Sequence, residues 1–325
     1  MARIALFGAG RIGRIHAANA VATPGIELAA VVDPVPEAAR ALADATGAEV
    51  ADTEAVIADP DIAGVIVASA TDTHLDLCLA AHAAGKAIFC EKPLDLDLAR
   101  ARAAAEQLAE ARLFLGFNRR FDPNFKALKA AMDEGRIGAL ETLNITSHDP
   151  APPPIAYVRV SGGLFRDMTI HDFDTARWLL GAPVTEVFAA GAGLIEPEIT
   201  TAGDIDTAKI LLRTAAGQLC LISNSRRSGY GYDQRIEAFG SAGMLRAGNV
   251  AESETAVWGE AGPAGAPFQT FFLDRYAAAY RDEMAHFADV LSGAAPAIGV
   301  ADGLAALALA EAAAESVRTN KVVNL

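Results

Sequence analysis

Short apolar runs alternate with alanine-rich segments of helical periodicity in the first third of the chain. The apolar runs predict strands at Arg3–Phe7, Glu27–Val32, Gly64–Ala68, Ala87–Cys90 and Arg112–Gly116. The segments between them predict helices at Ile12–Ala22, Pro36–Ala45, Thr73–Ala84 and Leu96–Glu110. Buried strands that alternate with helices are typical of βαβ units, in which helices cover both faces of a parallel sheet. Residues 1–118 are therefore predicted to form a doubly wound α/β domain.

From about residue 138 the pattern consists mostly of strands joined by short turns. These strands are predicted at Leu140–Ser147, Val184–Leu194, Asp206–Arg213, Gln218–Ser225, Gln234–Phe239 and Met244–Arg246. Consecutive strands with tight turns favour a mostly antiparallel sheet. Residues 119–325 are therefore predicted to form an α+β domain with a large, mostly antiparallel sheet. Pro152–Pro154 predicts a stiff loop, Gly259–Pro267 a flexible one, and Asp302–Thr319 a helix that can pack back on the first domain.

Composition and charge exclude several classes of partner. The chain has 325 residues, with 27 Lys and Arg against 41 Asp and Glu, so its formal net charge is −14. This acidity disfavours nucleic acid and anionic membranes, because both recruit proteins through Lys and Arg. No apolar stretch is long enough to predict a transmembrane helix. The three cysteines, Cys78, Cys90 and Cys220, form no closely spaced pair, which argues against a disulfide framework and a zinc site. We expect a cytoplasmic protein without a bound metal.

Three glycines with the spacing G-x-G-x-x-G, Gly8, Gly10 and Gly13, follow the first predicted strand. The first allows a tight turn, the second leaves room for a pyrophosphate, and the third lets the helix approach the strand. The phosphates then lie at the N-terminus of the helix that begins with Arg11 and Ile12, where unpaired N–H groups favour anions. The motif predicts a dinucleotide site in the doubly wound domain.

Asp33 ends the second predicted strand, 20 residues after Gly13. A carboxylate at this distance accepts hydrogen bonds from the adenosine ribose, and its charge repels a 2′-phosphate. NAD is therefore favoured over NADP, since Pro34–Pro36 offers no basic side chain. Other strand ends are expected to line the same crevice, with Ser69, Thr71, His74, Glu91 and Lys92. For His74, helix capping or packing near the cofactor is favoured over catalysis.

Lys92 is the first candidate for catalysis. It follows a buried strand and precedes Pro93, which restricts its backbone. The ammonium group is therefore predicted to project into the crevice as a fixed hydrogen-bond donor.

An Asp–His pair is the second candidate. If Leu164–Leu180 is a helix, Asp167 and His171 lie on one face. A carboxylate beside an imidazole fixes its tautomer and raises its basicity, which suits His171 as a general base. Two alternatives stay open: a structural pair that caps the helix, and a metal site that also includes Asp174. The metal site is disfavoured because no second His or Cys is nearby.

With these motifs, the chain resembles the Gfo/Idh/MocA family of NAD(P)-dependent sugar and polyol oxidoreductases over its whole length. The resemblance is carried by Gly8–Gly13, by the Glu91-Lys92-Pro93 triplet and by Asp167 with His171. Segments that resemble the inositol-oxidising members in particular are Ala87–Pro93, Gly116–Pro123, Gly162–Asp174 and Tyr230–Asp233.

The resemblance implies roles for individual residues. Lys92, Asp167 and His171 are the implied catalytic residues: His171 takes the hydroxyl proton, Lys92 stabilises the developing alkoxide, and Asp167 orients His171 and contacts a substrate hydroxyl. The further polyol contacts that it implies are Asn118, Asp149, Tyr232 and Tyr280. Ser147 departs from relatives that have a His at this position, which leaves the exact polyol open. The open sheet of the second domain is implied to mediate dimers or tetramers.

The expected reaction is NAD-dependent oxidation of myo-inositol at its axial secondary alcohol to the 2-keto product. The nearest alternative is the same chemistry on scyllo-inositol, an aldopyranose or another polyol. A non-catalytic dinucleotide-sensing regulator is a remote alternative, because a pure binder has no need for a proton acceptor beside a cation.

Overall fold

The computed structural model describes residues 1–325. Its first six strands are β1 (Ala2–Phe7), β2 (Ile26–Val32), β3 (Glu49–Val50), β4 (Ile62–Val67), β5 (Ala87–Glu91) and β6 (Leu113–Gly116). The helices between them are α1 (Arg11–Ala22), α2 (Pro36–Thr46), α3 (Thr53–Ala58), α4 (His74–Ala83) and α5 (Leu98–Ala104). Short 3₁₀ turns at Thr71–Thr73 and Asn118–Phe121 precede α4 and follow β6.

The remaining helices are α6 (Pro123–Asp133), α7 (Ile155–Val158), α8 (Ile170–Leu180), α9 (Pro197–Thr201), α10 (Phe272–Arg275), α11 (Ala277–Leu291) and α12 (Val300–Thr319). The remaining strands are β7 (Leu140–His148), β8 (Val184–Ala192), β9 (Thr207–Thr214), β10 (Leu219–Ser225), β11 (Asp233–Gly240), β12 (Gly243–Ala247), β13 (Ala256–Gly259), β14 (Gly262–Gly265) and β15 (Val323–Asn324). A π-helical turn, Phe165–Thr169, leads directly into α8.

The chain divides into two compact units. The first contains Met1–Phe121 and Ala279–Leu307, and the second contains Asp122–Ala278 and Ala308–Leu325. Most of α11 and the beginning of α12 therefore belong to the first unit, together with the N-terminal strands.

A parallel sheet in the order β3-β2-β1-β4-β5-β6 forms the centre of the first unit. Its middle strands are apolar on both faces, and Leu6, Ile66 and Phe89 are fully buried. The helix α11 packs closely on this sheet, because a Cβ at Gly64 would lie 2.6 Å from Leu291 Cδ2. The strand order changes direction at β1 and β4, so the loops after these two strands meet at the carboxyl edge, where such folds bind ligands.

The second unit is built on a sheet in the order β12-β11-β7-β10-β9-β8-β15. All neighbours are antiparallel except β7 and β10, which are parallel. Burial alternates along β9, so every second residue faces a covered side. On that side Oγ of Ser316, on α12, accepts a hydrogen bond from the backbone N of Ala189 at 2.9 Å. The other side exposes apolar side chains, which are Phe188, Leu211, Leu221 and Phe239.

The predicted fold class is confirmed: a parallel Rossmann sheet is followed by a mostly antiparallel open sheet. Two local expectations were wrong. The segment at Gly259–Pro267 is not simply a flexible loop, because β13 and β14 pair there as a hairpin. The expected helix at Leu96–Glu110 is shorter, since α5 ends at Ala104.

Three further observations bear on the expected partners and chemistry. No helix has both the length and the apolarity that crossing a membrane requires. No group of three or more His, Cys, Asp or Glu side chains is arranged to hold a metal ion. All three cysteines are unpaired and fully buried: Cys78, Cys90 and Cys220.

Candidate active site

The glycine loop of the first unit is shaped by contacts that exclude side chains at two of its three glycines. Gly8 has a φ of +103°, and a Cβ there would lie 2.3 Å from the carbonyl oxygen of Ala68. A Cβ at Gly13 would lie 1.9 Å from the oxygen of Gly8. Gly10, in contrast, has no atom within 4 Å of the place its Cβ would take. The loop is therefore tight where it packs and open at the glycine that should face a pyrophosphate.

The N-terminus of α1 has the properties of an anion site. Its N-cap is Gly10, which has no side chain to cap the helix, and the first turn contains no acidic residue. Unpaired N–H groups at a helix N-terminus favour phosphate. Arg11 and Ile12, which are expected to contact the cofactor, are the first two residues of this helix.

Asp33 is connected to the glycine loop. Its Oδ2 accepts a hydrogen bond from the backbone N of Ala9 at 2.7 Å, and its Oδ1 accepts one from Val35 N at 2.8 Å. The carboxylate thus fixes the loop after β1 to the end of β2. Each oxygen has a further lone pair for a ribose hydroxyl.

The segment Glu91-Lys92-Pro93 is anchored by two histidines. His16 Nε2 donates to Oε1 of Glu91 at 2.6 Å, and the ring of His16 is fully buried. His74, also buried, contacts the carbonyl oxygens of Pro93 at 2.8 Å and Ser69 at 3.2 Å. Through these carbonyls His74 connects the loops after β4 and β5. Lys92 lies between the anchored residues and is partly exposed.

The carboxyl groups of Glu91 and Glu283 interact electrostatically, and their pKa values are shifted in opposite directions. Burial alone would raise the pKa of Glu91, but the hydrogen bond from His16 and the charges of His16 and Lys92 outweigh it, so this pKa is lowered. Burial and the charge of Glu91 raise the pKa of Glu283 well above its ordinary value. Neither carboxyl oxygen of Glu283 has a hydrogen-bond partner, and the side chain is fully buried. The two shifts therefore favour the ionised form of Glu91 and the neutral form of Glu283.

In the second unit, Asp167 and His171 lie on consecutive pieces of helix and not on one regular helix. Asp167 is in the π-helical turn Phe165–Thr169, and His171 is in the first turn of α8. Single π-helical turns of this kind are frequent at functional sites. Both side chains are partly exposed.

Asp167 is held by two donors on different elements. Tyr157, on α7, donates its hydroxyl to Oδ1 at 2.8 Å. Arg226, directly after β10, donates from Nη1 to Oδ2 at 3.0 Å. Each carboxylate oxygen therefore carries at least one donor, which restricts rotation of the group.

A buried polar network fixes the π-helical turn to the sheet. Asn224, on β10, accepts from Thr169 Oγ1 at 2.7 Å and donates to Oδ2 of Asp172 at 2.8 Å. Thr169, Asn224 and Asp172 are all fully buried. Satisfied buried networks of this kind make a local structure rigid.

The remaining polyol-contact candidates lie on both units. Asn118 is 4% exposed, and its Oδ1 has no hydrogen-bond partner within the chain. Tyr280 is also buried and packs edge-on against His16 at 5.8 Å. In the second unit, Tyr232 is buried against Tyr276, with ring centroids 6.0 Å apart.

Two further residues from the sequence analysis lie at the C-terminal end of β7: Ser147 is within the strand, and Asp149 directly follows it. Asp149 donates its backbone N to the carbonyl of Ser225 at 2.9 Å. Ser147 is fully buried and accepts from Nε2 of Gln234 at 2.9 Å, so its side chain is part of the interior of the sheet.

A parallel sheet of this order, with a glycine loop at the crossover and a carboxylate after the second strand, defines a dinucleotide-binding protein of the Rossmann class. Residues 2–118 match the family model described as an oxidoreductase family with an NAD-binding Rossmann fold. Residues 125–246 match the GFO/IDH/MocA C-terminal domain. The chain belongs to the GFO/IDH/MocA family of oxidoreductases, and the expectation of an NAD-binding Rossmann domain is confirmed.

Known proteins of the family are similar over nearly the full length. The inositol 2-dehydrogenase of Rhizobium meliloti is 48% identical over 99% of both chains. The crystal structure of a myo-inositol dehydrogenase from Corynebacterium glutamicum has a TM-score of 0.96 and 45% identity, covering 100% of this chain and 99% of the other. The scyllo-inositol dehydrogenase of Lactobacillus casei, crystallised with NAD(H) and scyllo-inositol, has a TM-score of 0.93 and 30% identity, covering 100% and 99%.

The sequence motifs did not indicate the residues that support the site from behind. His16 is 75 residues from Glu91, and Arg226 is 59 residues from Asp167. Tyr157 and Asn224 were missed as well. The spacing of the histidine within α1 carries no chemical signal by itself, and an arginine after a strand is most often a surface residue.

Proposed function

We propose that the protein oxidises myo-inositol at its axial secondary alcohol to the 2-keto product with NAD. The observation that carries this proposal is the near-complete similarity to inositol dehydrogenases, combined with Lys92, Asp167 and His171 in a Rossmann oxidoreductase. The relative named for myo-inositol is more similar than the one named for scyllo-inositol, which favours myo-inositol as substrate.

Cofactor binding is assigned to residues 1–118 and substrate binding with assembly to residues 119–325, although Ala279–Leu307 of the latter belongs to the first compact unit. The glycine loop, with Gly8, Gly10 and Gly13, receives the pyrophosphate together with the first residues of α1, Arg11 and Ile12. Asp33 accepts from the adenosine ribose. The loops after β4 and β5 supply the remaining contacts, at Ser69, Thr71, His74, Glu91 and Lys92.

NAD, when bound, supplies an acceptor for the hydride that leaves the substrate carbon. His171 removes the hydroxyl proton as a general base. Lys92 donates hydrogen bonds to the same oxygen as negative charge develops on it, which stabilises the transition state. Asp167 orients His171 and binds a neighbouring hydroxyl.

Binding of the neutral polyol is assigned to a further set of polar side chains. Asn118 is the best supported of them, since its buried Oδ1 lacks a partner within the chain. Such an oxygen gains a hydrogen bond when a hydroxyl group binds. The others in this set are Asp149, Tyr232 and Tyr280.

The test is an assay of NADH formation with a panel of myo-inositol, scyllo-inositol and glucose. We expect NADH from myo-inositol first, and loss of at least about 100-fold in kcat for Lys92→Ala and His171→Ala, the range for a missing acid–base group. Lys129→Ala and His82→Ala are matched controls outside the site. A preference for scyllo-inositol or glucose would revise the substrate, and no turnover of any polyol would favour a dinucleotide-sensing regulator.

Assembly as a dimer or tetramer through the open side of the second sheet belongs to the same proposal. Phe188, Leu211, Leu221 and Phe239 are each at least 36% exposed on that side. Apolar side chains grouped on one surface mark interaction sites. Arg213 pairs with Glu186 at 3.5 Å among them, so the surface offers both charges to a second copy. Sedimentation should give a larger species for the wild type than for Leu211→Lys combined with Leu221→Lys; equal masses would contradict this.

A cytoplasmic location is also proposed. It is supported by three unpaired cysteines, because free thiols are typical of reducing compartments. Fractionation of cells that express the protein tests the location.

A further inference from the structure

Arg226 is a buried cation at the back of the predicted catalytic aspartate. Its side chain is 1% exposed, which is unusual for arginine unless the group is paired. Nη1 donates to Oδ2 of Asp167 at 3.0 Å, and Nη2 lies 3.6 Å from Oδ2 of Asp204. The guanidinium group therefore lies between two carboxylates of the second unit.

Tyr157 holds the other carboxylate oxygen of Asp167. Its hydroxyl donates to Oδ1 at 2.8 Å, whereas Arg226 donates to Oδ2. The tyrosine ring is 48% exposed, so one donor comes from the interior and the other from the surface. Two donors on different oxygens fix both the position of the carboxylate and its rotation.

Arg226 is itself held in place. Asp204 Oδ1 accepts from the backbone N of Leu164 at 3.0 Å, just before the π-helical turn that carries Asp167. A Cβ at Gly163 would lie only 3.0 Å from the same oxygen, so this backbone passes directly over Asp204. The backbone N of Arg226 donates to the carbonyl of Asp206 at 2.8 Å. Arg226 thus contacts Asp204, and Asp204 holds Leu164, the residue directly before the π-helical turn that contains Asp167.

We propose that Arg226 is a positioning residue of the reaction, and that with Tyr157 it holds the Asp167 carboxylate in one orientation beside His171. This rests on the proposed function, in which Asp167 orients His171. The planar guanidinium group suits the task, because its donors have a fixed geometry that a lysine does not reproduce. Displacing a catalytic group by about 1 Å can cost about 100-fold in rate.

The first experiment measures kcat and KM for the polyol at saturating NAD. Arg226→Met is expected to lower kcat by about 100-fold, and Tyr157→Phe by about 10-fold, since the buried Arg226 still holds Asp167 in the latter. Arg226→Lys, which keeps the charge, should restore part of the loss. The KM for NAD should not change, because the glycine loop belongs to the first unit. Lys86→Met is the matched control: it removes another buried cation, which donates to the carbonyls of Asp59 and Ile62.

The decisive variant is the double substitution Asp167→Asn with Arg226→Met. If Arg226 acts through Asp167, adding Arg226→Met to Asp167→Asn costs no further activity, because residues that act as a unit are not additive. Losses that multiply would overturn the proposal, and so would a folded Arg226→Met variant with wild-type kcat. If Arg226→Met does not fold, the exposed Tyr157→Phe combined with Asp167→Asn gives the same comparison.

A measurement without turnover separates this proposal from the proposed function. The titration of the His171 imidazole by NMR should change in the same direction in Arg226→Met and in Asp167→Asn. A titration that changes only in Asp167→Asn would overturn the positioning role. The substrate is judged from the wild type alone, and if it proves to be a different polyol, the kinetic comparison is made with that polyol.

Discussion

His16 Nε2 donates a hydrogen bond of 2.6 Å to Oε1 of Glu91, the residue immediately before the predicted catalytic lysine. The imidazole is buried between aromatic rings, with the ring centroid of Phe89 at 4.6 Å and that of Tyr280 at 5.8 Å. The side chain of Glu91 is 13% exposed. The helix α1, which follows the glycine loop, thus fixes the end of β5, and Lys92 is the next residue.

Removing the histidine should destabilise the protein more than neutralising its partner. In His16→Leu the mostly buried Glu91 loses its donor, so we expect a loss of about 2–3 kcal/mol in the free energy of unfolding. Glu91→Gln keeps a partner for His16 and should cost less. Urea unfolding of both single variants and of the double variant measures the coupling. Equal losses in the two single variants, with no coupling, would contradict a buried hydrogen bond between His16 and Glu91.

Glu283 should make stability fall as the pH rises. Because its pKa is raised in the folded protein, Glu283 keeps a proton that the unfolded chain releases above about pH 4.3. Its contribution to stability is thus fully present below that pH and is lost as the pH rises towards the folded pKa. Glu283→Gln cannot ionise, so its advantage over the wild type should grow by up to about 1.4 kcal/mol per pH unit.

Urea unfolding of both proteins between about pH 4.5 and 8 tests this dependence. Glu54→Gln, at an exposed position of α3, is the control, and its stability should follow the wild type at each pH. A constant difference between wild type and Glu283→Gln would mean that Glu283 is ionised in the folded protein.

Two glycines of one loop should respond differently to alanine. Gly10→Ala adds a methyl group with no atom within 4 Å, at an ordinary φ of −72°. Stability should therefore change by less than about 0.5 kcal/mol, while NAD affinity falls because the methyl group occupies the space proposed for the pyrophosphate. Gly13→Ala places a Cβ 1.9 Å from Gly8 O and should destabilise the fold itself. Thermal unfolding and NAD titration by calorimetry distinguish the two; unchanged NAD affinity in Gly10→Ala would refute the cofactor assignment.

Asp33 should contribute to both cofactor selection and loop stability. Asp33→Ala is expected to bind NAD much more weakly, and NADP less so, because it removes the proposed ribose acceptor together with the proposed repulsion of the 2′-phosphate. It also leaves the N of Ala9 without its 2.7 Å partner, which should cost about 1–3 kcal/mol. Comparing dissociation constants for both nucleotides with unfolding curves separates the effects. A uniform loss for NAD and NADP would show that Asp33 is only structural.

The sequence was sufficient for the Rossmann strands because their apolar runs are local and are separated by helices with clear ends. The strand β3 was missed since it has only two residues, both exposed, so no apolar pattern marks it. The hairpin of β13 and β14 was missed for the opposite reason: its glycines and proline favour a loop, and backbone pairing overrides them. Nothing in the local sequence explains why α5 ends at Ala104.

Candidate catalytic residues could be proposed from motifs, but their supports could not. The contacts from His16 to Glu91 and from Arg226 to Asp167 join residues that are distant in sequence. Only the tertiary packing within each unit specifies them. The π-helical turn was likewise not predicted, because Leu164–Leu180 has the periodicity of an ordinary helix.

The three buried thiols can report when the folded chain unfolds locally or globally. Cys78 and Cys90 lie in the first unit and Cys220 in the second, and none is exposed. Burial also raises the pKa of Cys90 and of Cys220, so few thiolates form even when reagent is present. Labelling by a thiol-specific reagent must then wait for local or global unfolding. Mass spectrometry of the labelled peptides would therefore give separate opening rates for the two units without any engineered probe.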